Sequence, residues 1–333
     1  MKKWIGAAVG LVIFPWLVSL IWMAAVGQSK AASADDMELV TTEPELNSDL
    51  ESKAVIVSSG QVKQSQPKIL VERENLQTYV WLEDYLAGVI ACQINPEYEM
   101  EALKCQAVIA RTYLYRLLDG RTEIHEEELD LDYLEEGQQT RQWDMEKTKE
   151  YLKRCEQAAA ETNGIVIQYE GRCILPLFHA VCAGRTRQGT EDYPYLQPVE
   201  SRWDSAYDQY SQIFYWETDE FVKRISRISD AAPLSPEQLP QEIQTVKKDD
   251  SGYILEMKIG ARTYQGEEIQ YALELPSACY QLSGQDGKIQ AAAKGKGHGY
   301  GLSQTGADAM AKEGWGYQDI LNYYYKNISV ISE

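Results

Sequence analysis

The sequence predicts an α+β fold: a mixed ectodomain of several short strands and packed helices, preceded by one N-terminal transmembrane helix. Three observations carry this. Residues 4–26 hold no charged side chain, and a helix needs about 20 mostly apolar residues to cross the hydrocarbon core. Beyond them, β-rich runs and helical stripes neither alternate strictly nor segregate, which argues against a doubly wound sheet. Finally, 44% apolar residues in a chain of 333 supply a sizeable core.

Lys2 and Lys3 precede the apolar stretch, so the positive-inside rule leaves the N-terminus in the cytoplasm and the rest of the chain outside the cell membrane. Residues 1–28 are therefore expected to be an uncleaved, single-pass anchor. A cleavable signal peptide is the competing reading, because Ala31-Ala32-Ser33-Ala34 resembles a small-residue cleavage site, although the apolar region is long for that role. Residues 29–67 read as an acidic flexible stalk. Seven acidic side chains and no Lys or Arg fall within residues 35–51, a composition that cannot bury enough apolar surface to offset chain entropy. The extracytoplasmic domain is expected over residues 68–333.

Within it, Lys68-Ile-Leu-Val-Glu and Thr78-Tyr-Val-Trp read as two short strands around Asn75. A helix is expected from Asn95-Pro96, with Asn95 as N-cap, Pro96 at the first helical position, and Glu97 and Glu99 at the positive end of the dipole. Leu103, Ala107, Ala110, Leu114 and Leu117 make one apolar stripe, and Lys104, Arg111 and Tyr115 share a row along its margin. Eight acidic residues within 123–136 read as a solvated loop or helix face rather than a metal site. Residues 146–162 read as a second helix stopped by Asn163-Gly164. Ile165-Val-Ile-Gln-Tyr and Cys173-Ile-Leu-Pro-Leu-Phe then form a hairpin about Glu170-Gly171. Residues 215–230 read as helical, residues 233–291 as several short strands separated by turns such as Asp249-Asp-Ser-Gly, and residues 304–312 and 317–325 as two helices.

The formal charge of −19 argues against a nucleic-acid partner, which needs clustered Lys and Arg to displace counterions. Cys92, Cys105, Cys155, Cys173, Cys182 and Cys279 lack the spacing of a disulfide framework, so buried free thiols are expected, with one bridge left open.

Two segments hold polar groups without an evident packing role. Gly295, Gly297, Gly299 and Gly301 alternate with Lys296, His298 and Tyr300 ahead of Leu302-Ser303-Gln304, where a helix N-terminus offers free N–H donors. The spacing is neither the Walker nor the dinucleotide fingerprint. A tight structural turn is one reading; a loop presenting His298, Ser303 and Gln304 to a hydroxyl-rich ligand is the preferred one. His179 and Cys182 are candidate zinc ligands, yet two ligands do not make a site, so no cofactor is expected. A hydrogen-bonded His179 at the rim of a cleft is the reading carried forward.

The run Leu82-Glu-Asp-Tyr, with Gly88-Val and Glu101-Ala-Leu-Lys-Cys-Gln-Ala-Val-Ile-Ala-Arg-Thr-Tyr, resembles the opening motif of the SpoIID/LytB family, the stage II sporulation protein D and amidase-enhancer group. Phe178-His179 with Gly184-Arg-Thr and Tyr193-Pro-Tyr-Leu-Gln-Pro-Val-Glu-Ser resembles its next block. Gly297-His-Gly-Tyr-Gly-Leu-Ser-Gln-Thr-Gly-Ala resembles its C-terminal signature. The resemblance implies action on peptidoglycan outside the membrane. Sporulation members are lytic transglycosylases that cut peptide-stripped glycan strands, partnering an amidase during engulfment. In that chemistry one carboxylic acid protonates the glycosidic oxygen and then, as carboxylate, takes the proton of the muramyl 6-hydroxyl, so it needs a partly desolvated pocket.

This chain has Gln93 where the family pattern has that glutamate, and an amide cannot transfer the proton. Lys104 and Arg111 fall at the family's functional basic positions, and His179, His298 and Ser303 fall in its site-forming motifs. The family's acidic Thr-His-Cys block is missing. Three readings stay open: Glu97 or Glu99 replaces the acid; the site binds glycan and recruits or regulates another hydrolase; or the domain is a structural partner in a membrane-bound sporulation complex. Gln93, Lys104, Arg111, His179 and His298 are expected around one cleft.

Overall fold

The computed structural model describes residues 66–73, 76–134 and 144–333. Lys68–Arg73 (β1) pairs antiparallel with Leu76–Trp81 (β2), as the two apolar runs predict, and buries Ile69 and Val71 from one face. Leu82–Gln93 (α1) follows without a loop, a helix the sequence reading did not assign. Its apolar residues show no single stripe because nearly every side is covered: Leu82, Tyr85, Leu86, Val89 and Ile90 are all buried, the signature of a core helix.

Met100–Leu118 (α2) begins four residues later than expected. Asn95 does cap, but it caps a turn: its Oδ1 accepts the Glu97 N–H at 3.1 Å and its carbonyl accepts the Tyr98 N–H at 3.1 Å. This local bonding competes with helix formation, and Glu99 becomes the helix N-cap. Along α2, Leu103, Ala107, Ala110 and Leu114 are buried as the stripe predicts. Glu123–His125 (β3) adds to β1 in parallel, and Met145–Glu161 (α3), capped by Asp144, ends as expected before a left-handed Gly164. Ile165–Tyr169 (β4) and Arg172–Cys173 (β5) form the anticipated hairpin, although its second strand is short; Phe178–His179 (β6) is a separate piece.

The next region departs further from expectation. Ser211–Glu217 (β7) is a strand with alternating exposure, and only Thr218–Ile225 (α4) of the expected helix is helical. Ile243–Lys248 (β8), Ile254–Ile259 (β9) and Arg262–Gln265 (β10) form one antiparallel sheet. Gly266–Leu273 (α5) is a helix inside the stretch read as strands. Tyr280–Gln285 (β11) and Lys288–Lys294 (β12) complete a sheet in the order β11-β12-β7.

Leu302–Ser303 (β13) runs parallel to β6 and sets Ser303 opposite His179. Gln304–Lys312 (α6) and Tyr317–Tyr324 (α7) match their expected spans to within a residue, and Ser329–Ser332 (β14) pairs with β4. The α+β expectation holds: Pro67–Glu333 forms one compact unit with two apolar cores. One gathers α1, α2, α3, α6 and α7 around Leu86, Leu103, Met310 and Tyr324. The other lies between α4, α5 and the two antiparallel sheets around Phe221, Tyr253, Ile269 and Ile289. Among the described residues no helix is long and apolar enough to cross a membrane. The anchor and nearly all of the stalk lie outside the described residues.

Candidate functional site

The two motif segments, far apart in sequence, meet where α6 begins. Gln93 ends α1, Gln106 sits on α2, and Gln304 opens α6. Gln106 Nε2 donates to Gln93 Oε1 at 2.7 Å, while Gln304 Nε2 donates to the Gln93 carbonyl at 2.7 Å and to Gln106 Oε1 at 3.1 Å. Gln106 is fully buried and Gln93 only half-buried. The bonds leave Gln93 Nε2 as a free donor and Gln304 Oε1 as a free acceptor in the same node. A paired donor and acceptor is the complement of a secondary amide or of two sugar hydroxyls.

Directly beside this node, Ser303 and Thr305 point into a different network. Asp204 is fully buried and accepts from Cys182 N–H at 2.7 Å, from Ser201 Oγ at 2.5 Å, from Ser303 Oγ at 2.5 Å, and from the Thr305 hydroxyl. Burial pushes the Asp204 carboxyl up, and these hydrogen bonds pull against it. Ser303 Oγ also accepts the Gly306 N–H at 3.3 Å as the N-cap of α6. The expectation that Ser303 meets a ligand is thus corrected: its hydroxyl is committed to Asp204 and to the helix.

The glycine run brings His298 to His179, with ring centroids 5.8 Å apart. Its glycines take positive φ, and a Cβ on Gly301 would sit 1.8 Å from the Leu177 carbonyl oxygen, so the run is required by close backbone packing. Tyr300 orients both rings: His179 Nδ1 donates to the Tyr300 carbonyl at 3.1 Å, and the Tyr300 N–H donates to His298 Nδ1 at 3.0 Å. These bonds assign the proton to Nδ1 of His179 and to Nε2 of His298. Both Nε2 atoms are buried without a hydrogen-bond partner. Burial depresses both: His179 falls from 6.5 to about 4, and His298, further opposed by His179 and Arg187, to about 3. Both rings are therefore neutral at physiological pH. Arg187 packs its guanidinium 4.8 Å from the Tyr253 ring and 4.6 Å from the Tyr300 ring while pairing with Asp249 at 2.7 Å and Glu267 at 3.2 Å, which ties the loop to the second core.

Lys104 and Arg111 do not join this arrangement. They lie two turns apart on the side of α2 that faces α3, about 160° and about 140° around the helix from Gln106. Arg111 is fully buried rather than marginal, and all five of its N–H groups are spent: Nε and Nη2 clamp Glu83 at 2.7 Å each, Nη2 also reaches the Ala159 carbonyl, and Nη1 serves Thr162 Oγ1 and the Ile165 carbonyl. Arg111 is a staple between α1, α2 and α3, which corrects its expected place at a ligand. Lys104 pairs with Glu101 at 2.6 Å and Glu161 at 2.7 Å; burial lowers its pKa, but the two carboxylates outweigh that and raise it.

Glu97 and Glu99 are exposed. The Glu97 carboxylate accepts from the Tyr151 hydroxyl, and the Glu99 backbone N–H donates to Asp308 Oδ1 at 2.8 Å. Neither carboxylate lies in the enclosed surroundings a glycosidic acid requires. Cys182 is buried with its thiol pushed well up by burial, and among the described residues no three His, Cys, Asp or Glu side chains group as metal ligands. All six cysteines are free thiols.

Sequence reasoning missed Gln106, Asp204 and Asp308. Gln106 is visible in hindsight as a polar residue on the buried face of α2, and Asp308 as an acidic residue in an otherwise small, apolar turn of α6; Asp204 carries no local signal.

Residues 72–169 match the family described as Stage II sporulation protein, SpoIID. The chain is 28% identical to Stage II sporulation protein D of Bacillus amyloliquefaciens over 261 residues, covering 75% of this chain and 74% of that protein. The same identity holds over 263 residues with its namesake in Bacillus subtilis, again 75% and 74%. An uncharacterized protein of Brachyspira hyodysenteriae is 28% identical over 260 residues, 75% of this chain and 66% of that protein.

Proposed function

We propose, from the match of residues 72–169 to the SpoIID family and the 28% identity to two stage II sporulation proteins D, that the ectodomain binds peptidoglycan glycan strands during sporulation and remodels the wall by recruiting or regulating a partner hydrolase such as an amidase. The single observation that carries this is the state of Gln93. It stands at the position of the family's catalytic acid, is held by Gln106 and Gln304, and keeps one amide donor free. That geometry suits recognition. The free Gln93 N–H and the free Gln304 carbonyl complement an acetamido group or vicinal hydroxyls of an N-acetylated sugar, and no group in the node exchanges a proton near neutral pH. The domain would act outside the cell membrane, tethered by the N-terminal apolar segment.

The test is to incubate the full chain, in detergent, with amidase-treated and untreated glycan strands, and to measure both binding and anhydro-muramyl ends. Binding without new anhydro ends, weakened in Gln93→Ala, is the expected result. Anhydro ends that vanish in Glu97→Gln or Glu99→Gln would instead establish a displaced catalytic acid. Absence of any glycan binding would leave only the structural-partner role.

A further inference from the structure

β7 is the edge strand of the sheet ordered β11-β12-β7. It pairs with β12 along its whole length without a register shift. Among the described residues no backbone group of residues 211–216 bonds outside that sheet, so the other edge of β7 presents a straight row of N–H and C=O groups. Its side chains alternate between two faces. Phe214 and Trp216 stack 6.1 Å apart against the second core, whereas Ile213 and Tyr215 point the other way and are 56% and 51% exposed.

Edge strands are commonly shielded from further pairing by lysine, proline or a bulge. β8, an edge of the other antiparallel sheet, has two of these devices: Lys247 and Lys248, and a bulge around them. β7 has none. Residues 211–216 carry no charge and no proline, and their pairing is regular. An edge this long, uncharged and unbroken is a template for one more strand.

The strand that fits is β7 of a second copy. About a two-fold axis at Phe214, two such strands run antiparallel with all of residues 211–217 opposed, and each Ile213 faces the partner's Tyr215. Residues whose N–H and C=O point outward alternate along β7, and this register sets outward residues opposite outward residues whichever set they are. The exposed faces then join as β-branched and aromatic pairs, the cross-strand combination that stabilises sheets. Charge agrees with the same register. Lys294 lies beside Ser211 on β12, is exposed, and enters no ion pair among the described residues. Glu217, held by Lys288 of its own chain at 2.8 Å, would stand opposite the partner's Ser211 and within reach of the partner's Lys294. A carboxylate thus meets an ammonium at both ends, and no like charges are opposed. An unrelated strand would have to supply this register; a second copy has it by symmetry.

We propose that β7 is a self-association surface, through which two copies of this chain join their three-stranded sheets edge to edge into one six-stranded sheet. The inference does not depend on the glycan reading above. Seven residues a side make a small interface, so the dimer is weak and concentration-dependent.

The test follows the full chain, in an excess of detergent micelles, by sedimentation velocity over a range of protein concentrations. A dimer with a dissociation constant on the order of 10 μM is expected. Tyr215→Lys and Ile213→Glu should each weaken it at least about tenfold, and Lys294→Glu by about threefold, since that ion pair is exposed. Separately tagged Ile213→Cys and Tyr215→Cys chains, mixed and oxidised by copper phenanthroline, should give a 213–215 disulfide, identified by peptide mass spectrometry. Its yield should exceed that of a 213–213 disulfide at least about fivefold, because the latter pair is diagonal. All the substituted side chains are exposed, and should one variant lose its thermal transition, the others and the cross-link remain decisive. A chain that stays monomeric at about 100 μM overturns the proposal. So does a dimer that neither Tyr215→Lys nor Ile213→Glu weakens, which would form through another surface or through the micelle. Equal yields of the two disulfides overturn the register about Phe214.

Discussion

Ser303 and Gln304 are consecutive residues, yet they serve polar networks of opposite kind. On one side, the Asp204 carboxylate collects four donors from Cys182, Ser201, Ser303 and Thr305 in a fully buried position. On the other, Gln93, Gln106 and Gln304 bond to one another and still leave a donor and an acceptor unspent beside a half-buried side chain. The saturated network is architecture: it joins the loop after β6, the Ser201–Asp204 turn and the start of α6. The unsaturated one has capacity left for a ligand. What separates a structural polar cluster from a recognition site here is remaining hydrogen-bond capacity at an accessible edge, not the residue types.

The largest effect should come from breaking the saturated side. Asp204→Ala removes the shared acceptor of four buried donors, and a cost of roughly 4 kcal/mol or more in unfolding free energy is expected by chemical denaturation. A loss under about 1 kcal/mol would show that water replaces the carboxylate and that the contrast between the networks is false.

The histidine pair comes next. His179 and His298 take up protons on unfolding but resist them when folded, since burial holds their native values at about 4 and about 3 against 6.5. The unfolded chain therefore binds more protons below 6.5. Stability should be constant above that pH and fall as pH drops towards 4, by about 3 kcal/mol for His179 alone. The denaturation midpoint measured from pH 7 to pH 4 checks this, and His179→Gln should flatten the slope. A flat wild-type profile would mean that the two rings are open to water, which would move them from the architectural side to the recognition side.

Smaller again is the loss expected for Gln304→Ala. It removes two hydrogen bonds from a node that already has an edge open to water, so about 1–2 kcal/mol should be lost in the same denaturation experiment, together with glycan affinity. Loss of affinity with a smaller stability change than Asp204→Ala sharpens the distinction; equal stability costs would erase it.

Much of this arrangement was legible in the sequence, and the failures have physical causes. The stripe of α2, the Gly164 stop after α3 and the α6–α7 pair were readable because periodicity and turn chemistry are local. α1 was not assigned because a helix covered on all sides has no stripe, and α2 was placed early because Asn95 bonds its own turn in preference to capping the helix. Gln93 and Gln304 were singled out by motif and bond to each other, and His298 packs on His179, which lies opposite Ser303. Lys104 and Arg111 were grouped with them by the same reasoning, and there it failed: motif membership does not say which side of a helix a residue serves, and Arg111 serves Glu83. Asp204 was invisible because all four of its donors come from tertiary contacts or a nearby turn.

The most informative substitution has the smallest expected effect on stability. Gln93→Glu is nearly isosteric, and one carboxylate oxygen would inherit the 2.7 Å hydrogen bond from Gln106 Nε2, so the change in unfolding free energy should stay within about 1 kcal/mol. The second oxygen would occupy the place of the free amide nitrogen, facing whatever ligand the node holds. Partial burial would raise the pKa of this carboxyl, while the Gln106 bond would oppose the rise, which leaves an acid able to donate and recover a proton in mildly acidic solution. If the unsaturated node is a glycosidase site that lacks only its acid, Gln93→Glu should release anhydro-muramyl ends from amidase-treated strands, at a rate at least about 100-fold above that of the wild type and rising as pH falls below neutrality. If Gln93→Glu binds strands as the wild type does but releases no such ends over that pH range, the node is a recognition site whose geometry no longer supports cleavage. In that case the contrast with Asp204 is one between two binding networks, one that holds the protein and one that holds the wall.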